Sequence, residues 1–408
     1  MVGSLKESVC GVILFQGITH IQEFVMKNIW ILAGETSGDI YGARLAQELR
    51  DIAKEKNEEV SFTGMGGPKM MEAGIPVKVD STELGVVGIF EVTKMLFTFI
   101  KIYFYLVREA KKERPDEVIL IDYPGFNLLF ALAMWRNKIK VVWYVCPHLW
   151  VWAKWRLPVL ARICTKMLVI FPFEVEVFAP TPLRAEFVGH PLIDLVAERR
   201  DPNITRTKDK FLLLPGSRTL EVKRLLPTML ESVKIIAERH PELTFHLSTP
   251  REKIAAQCRA ICEKFKQKNP ESPEISITVG DTAQWQQRAC AGIAASGTVT
   301  VESAISGLPL VVGYRMGWGT VLVALVLVRL YRGFFTMVNI IANREVFPEF
   351  FQNKFSPENI VPAAEAFLPG GSRHDQVEAD MLEVKQLLSP QSSSAARQAA
   401  LACWDATE

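Results

Sequence analysis

Apolar positions along this chain fall into two alternating series separated by a polar stretch. In the first half, short apolar runs predict strands at 28–33 (NIWILA), 60–65, 117–122 (EVILID), 139–146 (IKVVWYVC), 166–170 and 185–188. Between them, helical spacing predicts helices at 39–56, 89–113, 124–137 and 154–163. Strands alternating with helices of this length imply a parallel sheet covered by helices. The texture changes at 189–210, GHPLIDLVAERRDPNITRTKDK, which is polar, holds two prolines and has no strand-like run. The series then restarts with strands at 211–214, 243–248, 275–279, 291–295 and 309–313. Within 219–240 the positions Val222, Leu225, Leu226, Met229, Leu230, Val233 and Ile236 form a helical stripe. Pro227 is expected to kink that helix or to begin its main part. Residues 356–408 read as C-terminal helices, with the low-complexity section SPQSSSAARQAA expected to be partly disordered.

The expected class is therefore α/β, with two Rossmann-like doubly wound domains at 27–190 and 211–345. A linker at 191–210 joins them, and C-terminal helices and a tail follow at 346–408. Ligands of such sheets bind beyond the C-terminal ends of the strands. Two facing domains make one cleft with a substrate on each side.

A length of 408 residues allows two full cores, and a net charge of +2 gives no support for nucleic-acid binding. The seven cysteines are scattered. Cys258 and Cys262 have helical spacing and no histidine cluster beside them, which fits a reduced cytosol. With no HExxH, DxD or clustered Cys/His pattern, no metal and no other cofactor is expected. Residues 1–26 read as an extension or a mis-assigned start, with Met26 as the natural first residue; an amphipathic leader is the alternative. Two segments, 95–107 and 320–328, are strongly apolar with basic flanks. Both are shorter than the ~20 residues of a membrane span. They read as interfacial helices or as buried ones. In the first, Phe97, Phe99, Lys101 and Phe104 are the expected membrane contacts.

The chemistry gathers at predicted strand ends. FLLLPGSR (211–218) and GIAASGTVTVE (292–302) each stop at small and polar residues where a helix can begin. Free N–H groups at a helix start attract phosphate. Arg218 would then meet a diphosphate and Glu302 would accept from ribose hydroxyls; two ordinary strand-to-helix turns are the plainer alternative. Arg315 and Arg344 are further cations for a departing diphosphate, and Asn339 and Asn343 could also reach the nucleotide. In the first half, AGETSGDIYGARLA lacks the GxGxxG pattern, and its Glu35 and Asp39 would repel a pyrophosphate. It suits a hydroxyl-rich ligand, or Ser37 and Asp39 simply cap the helix. In IDYPGFN, Asp122 ends an apolar strand where it can serve as a general base, with Asn127 following; the plain alternative is a helix cap. YVCPHLWVWAKWR holds His148, a candidate base or phosphate ligand and equally a structural residue, among Trp150, Trp152 and Trp155.

Taken in order, AGETSGD, GMGGPKM, ELGVVGIFEV, IDYPGFN, YVCPHLWVW, FVGHPL, LPGSRTLEV, ASGTVTVE, GYRM and NIIANREVFPEFFQ resemble the lipid-A-disaccharide synthase family from about Asn28 to about Phe367. The resemblance implies an inverting glycosyltransferase of the two-domain GT-B fold, peripheral on the cytoplasmic face of the inner membrane and independent of metal. It implies transfer of a sugar from UDP-2,3-diacylglucosamine to the 6-hydroxyl of 2,3-diacylglucosamine 1-phosphate (lipid X). By resemblance Asp122 is the general base. Ser217, Arg218, Ser296, Gly297, Thr298 and Glu302 would hold UDP; Glu35, Ser37, Asp39, Asn127 and His148 would line the acceptor side. The chain departs from the family pattern at Ala153, where arginine is frequent, and at Val338 and Cys146. A homodimer is an option the resemblance offers, but 368–408 match too poorly to place its contacts. A UDP-sugar 2-epimerase of the same fold, a non-catalytic nucleotide-sugar-binding protein and a glycosyltransferase of peptidoglycan synthesis are the competing readings.

Overall fold

The computed structural model of the chain describes residues 26–81, 92–147, 154–316 and 333–407. Among these, thirteen strands form two wholly parallel sheets. The first holds β1 (Met26–Ala33), β2 (Glu59–Gly66), β3 (Val77–Asp80), β4 (Glu117–Ile121), β5 (Lys140–Tyr144), β6 (Lys166–Val169) and β7 (Arg184–Phe187). Its order is β3-β2-β1-β4-β5-β6-β7. The second holds β8 (Lys210–Leu214), β9 (Thr244–Thr249), β10 (Ile275–Val279), β11 (Ala291–Ala295), β12 (Leu310–Tyr314) and β13 (Glu349–Phe351), in the order β10-β9-β8-β11-β12-β13.

In each sheet the winding reverses at the middle. The chain steps outward from β1 to β3, then returns to β4 and steps the other way; β8 and β11 play the same parts in the second sheet. The loops after β1 and β4, and after β8 and β11, therefore diverge and leave a crevice at the switch point. Central strands such as β4 and β11 are buried along their whole length, because helices cover both faces. β3 and β13 were not among the expected strands. Both are short edge strands, only half-buried over most of their length, so they carry no continuous apolar run.

Three stretches add to the expectation or depart from it. The polar linker contains the helix Pro191–Arg199, whose Pro191, Leu192 and Leu195 are buried. His190 caps it, Nδ1 accepting from Leu192 N–H at 3.1 Å. The helix Thr219–Arg239 runs through Pro227 as one element. Arg315 lies against that turn, its Nη1 donating to the Arg224 carbonyl at 3.1 Å and to Thr228 Oγ1 at 2.9 Å. Of the section 389–400 expected to be partly disordered, 395–400 belong to the helix Ala395–Thr407, which lies in the stretch expected to hold C-terminal helices. Its alanines let it approach the helix Thr36–Glu55 closely, and Cys403 and Trp404 are buried there. Arg397 fastens it to Glu48 and Glu55. The chain thus crosses back to the first sheet at its end. The two crossings touch: His190 N–H donates to the Leu388 carbonyl at 2.9 Å. Gly189, at φ +84°, leaves room for Pro390, which a Cβ there would meet at 2.8 Å. The expected extension at 1–25 and the apolar segment 320–328 lie outside the described residues.

Under this last helix, Glu117 opens β4 with no exposure, and neither carboxyl oxygen has a hydrogen-bond partner. Burial pushes it up to about 8; Lys140, Lys27 and Lys166 oppose that shift. The proton is therefore held more tightly in the folded chain than in the unfolded one. Its stabilisation is full below pH ~4.5 and is lost as pH rises toward about 8. Urea unfolding should show Glu117→Gln gaining stability over the parent at pH 8.5 and little at pH 5. An equal effect at both pH values would mean that Glu117 stays ionised in the fold.

Candidate active site

At the first switch point β1 and β4 run side by side, with Ala33 opposite Ile121. Asp122 and Tyr123, the next two residues, both have positive φ, +46° and +49°. Left-handed backbone at non-glycine residues costs on the order of 1–3 kcal/mol each and persists only where the surroundings hold it. Here Asn127 does so: its Nδ2 donates to the Asp122 carbonyl at 2.7 Å and to the Ile121 carbonyl at 3.3 Å. Asp122 N–H continues the ladder to the Tyr144 carbonyl at 3.0 Å. The turn lifts the Asp122 carboxylate out of the strand. Burial pushes that carboxyl up to about 6; the nearby charge of Glu35 adds to the rise, and the Tyr123 N–H opposes it. A carboxylate poised near neutrality can accept a proton from a hydroxyl.

Glu35, the N-cap after β1, and Ser37, in the first turn of the helix Thr36–Glu55, are exposed. The ring of Tyr123 lies directly over Gly34, where a Cβ would stand 2.1 Å from the ring. Gly34→Ala should therefore displace Tyr123 and the Asp122 turn with it. A shift of this kind near the reacting group costs ~10²-fold in rate. Steady-state turnover alongside a thermal melt checks this, since an unchanged rate in a folded variant would show that the turn tolerates the methyl.

At the second switch point Leu214 of β8 lies opposite Ala294 of β11, so Ser217–Arg218 and Ser296–Thr298 leave the sheet as neighbours. Gly216, at φ +112°, makes the first turn. The helices starting at Thr219 and Thr298 have no side-chain cap at their N-caps, Arg218 and Gly297. Ser217, Arg218, Gly297 and Thr298 are exposed, and among the described residues Arg218 pairs with Glu221 at 3.0 Å. Glu302 sits one turn into the second helix. Burial raises its carboxyl above the usual range and Arg199, 3.7 Å away, draws it back.

Tyr41 feels the charge of both ends. It is buried on the helix Thr36–Glu55, with its ring 6.5 Å from that of Tyr144. Its hydroxyl is raised above the ordinary tyrosine range, first by burial, then by the charges of Glu302 and Asp122. Both carboxylates therefore bear on one hydroxyl from opposite domains. Tyr41, Tyr123 and Arg199 were not among the expected site residues. For Tyr41 the signal was an aromatic two residues after Asp39 in a glycine-rich strand-to-helix segment; Arg199 lay in what read as plain linker.

Several expected contacts are engaged elsewhere. Asp39 is buried and faces away from the crevice, accepting from Gly67, Lys69 and Met70 N–H at 2.7, 2.9 and 3.0 Å, and so caps the helix Pro68–Glu72. Asn127 is fully buried beneath the Asp122 turn and does not line the crevice. Arg315 is bound to three backbone carbonyls, those of Arg224, Gln352 and Phe355, and to Thr228. Asn339 is buried, bridging Val346, Phe347 and Glu349. Arg344 pairs with Asp380 at 2.9 Å and with Glu383. His148 lies outside the described residues.

On the helix Val92–Glu113, Phe97 and Phe104 are 69% and 65% exposed, and Ile100 and Lys101 share their face. Phe99 belongs to the opposite face. It packs on Phe126 at 5.3 Å and Tyr123 at 5.9 Å, so it supports the Asp122 turn instead of the outer surface. Among the described residues, no helix is long and apolar enough to cross a membrane.

Known proteins share this architecture. S. aureus MnaA with UDP superposes with a TM-score of 0.60 at 14% identity, over 91% of this chain and 94% of that one. Acinetobacter baumannii MurG gives 0.51 at 16%, over 93% and 99%. At such identities the likeness establishes the fold alone, and UDP-GlcNAc 2-epimerases share that fold. Sequence relatives separate the readings. The lipid-A-disaccharide synthase of Koribacter versatilis is 36% identical over 371 residues, 89% of this chain and 94% of that protein. That of Trichlorobacter lovleyi is 37% identical over 346 residues, 82% and 86%. The family profile described as Lipid-A-disaccharide synthetase matches residues 29–403, past Phe367 and into the returning C-terminal helix. With both switch points and the closing helix inside that span, the chain belongs to the lipid-A-disaccharide synthetase family.

Proposed function

We propose that the chain joins UDP-2,3-diacylglucosamine to the 6-hydroxyl of 2,3-diacylglucosamine 1-phosphate, giving a β-1,6-linked disaccharide 1-phosphate and UDP. Its role in lipid A disaccharide synthesis follows from family membership. The observation that supports the chemical assignment is that Asp122 and Glu302 follow the two switch-point strands, one in each sheet, and that the charge of each raises the buried Tyr41 hydroxyl. Asp122 takes the proton of the acceptor hydroxyl as its oxygen attacks the anomeric carbon. The bond to the UDP oxygen breaks on the opposite face, which inverts that carbon in one displacement. Negative charge then grows on the diphosphate. Arg218 and the uncapped helix starts at Thr298 and Thr219 meet it there. Glu302 takes the ribose hydroxyls, while Glu35 and Ser37 line the acceptor side. The exposed Phe97, Ile100 and Phe104, with Lys101, rest on the cytoplasmic face of the inner membrane, from which both acylated substrates are drawn.

The test is UDP release by residues 26–408 with both lipids in detergent and EDTA, with product analysis. Acceptor-dependent release with a disaccharide product is expected. Release without acceptor, or sugar epimerisation without transfer, would favour the epimerase chemistry. Activity only after adding a divalent metal would overturn the metal-free mechanism.

A further inference from the structure

The helix Pro191–Arg199 ends in two adjacent charges that reach opposite domains. Glu198 receives both Nη groups of Arg44, on the helix Thr36–Glu55 of the first domain, Nη1 at 2.7 Å. Arg199 reaches the other way, its Nη1 3.7 Å from Glu302 Oε1. The backbone here is fastened to the second domain by Gln287, whose Nε2 donates to the Arg199 carbonyl at 3.2 Å and whose Oε1 accepts from Asp201 N–H at 3.0 Å. Arg199 is thus presented to Glu302 from a fixed point. We infer that Arg199 is a positioning residue for the nucleotide site: it holds Glu302 ready for the ribose hydroxyls, and the Arg44–Glu198 pair holds Arg199 in place from the acceptor domain.

This rests on the assignment of Glu302 to the ribose. An ionised carboxylate accepts from two hydroxyls on both oxygens without donating, and a cation beside a half-buried one favours that form. Among the described residues, Arg315 and Arg344 are engaged elsewhere, Arg218 is paired with Glu221, and Arg199 is the cation that meets Glu302. The linker is then part of the site, and the position of the acceptor domain bears on nucleotide binding through Glu198.

Calorimetric titration of the full chain with UDP and with 2′-deoxy-UDP tests this. The parent should prefer UDP by about tenfold or more, the scale of a lost hydrogen bond to a charged group. Arg199→Ala should weaken UDP about tenfold, leave 2′-deoxy-UDP nearly unchanged, and so erase the preference; Arg199→Lys should restore most of it. Arg44→Ala should weaken UDP a few-fold in the parent and add nothing to Arg199→Ala. An Arg199→Ala chain that keeps the full preference, or loses both nucleotides equally, overturns the positioning role and leaves Glu302 assigned as before. A parent with no preference removes the Glu302 assignment, and this inference falls with it.

Discussion

Asp122→Ala should lower turnover by ~10²–10⁴-fold, the range for loss of a general base, while UDP binds within about twofold of the parent. The two effects separate because Asp122 stands at the first switch point and the loops proposed to hold the nucleotide at the second. Loss of UDP binding in the same variant would make Asp122 a structural residue. The pH profile gives a second check. The base acts only when ionised, and its carboxyl is pushed up to about 6. The rate at low substrate should fall roughly tenfold per pH unit below that point and level off above it. Glu35 contributes to the rise through its negative charge, so Glu35→Gln should move the inflection to lower pH. A profile flat from pH 5 to 8 would exclude Asp122 as the group that titrates.

The fold was legible where burial writes a continuous signal. Strands buried on both faces, such as EVILI and AGIAA, read as unbroken apolar runs, and their spacing with helices implied two parallel sheets. The half-buried edge strands gave no such run. C-terminal helices were expected over 356–408, but the start of the last one was obscured: its small alanines, which allow close packing on Thr36–Glu55, are also what made 395–400 look low in complexity. At the site, strand-end position was informative for Asp122, Arg218 and Glu302, because topology alone brings those ends to the switch points. Side-chain partners were not legible. Asp39 turns away to cap a helix nearly thirty residues on, Asn127 turns inward to hold the Asp122 backbone, and Arg315 is drawn to a turn near Pro227. Each depends on a long-range neighbour that spacing does not reveal. Tyr41 and Arg199 were missed likewise, since their meaning comes from groups distant in sequence: the charges of Asp122 and Glu302 for Tyr41, and Glu302 for Arg199.

Charging the exposed aromatic face, Phe97→Asp with Phe104→Asp, should release the protein from anionic vesicles by about 100-fold or more in sedimentation while activity in detergent persists. Each ring that leaves water contributes roughly 1.5–3 kcal/mol, and a basic residue beside an anionic surface adds about 1 kcal/mol. Two rings together thus supply several kcal/mol, and every 1.4 kcal/mol is about tenfold in partitioning. The face is separable from the catalytic turn, because Phe97 and Phe104 point outward while Phe99, between them in sequence, packs on Tyr123 and Phe126. Phe99→Ala should accordingly act the other way, costing turnover more than vesicle binding. If the doubly charged variant stays membrane-bound with its fold intact, the contact lies on another surface. If Phe99→Ala releases it instead, the inward face of this helix is the one that meets lipid.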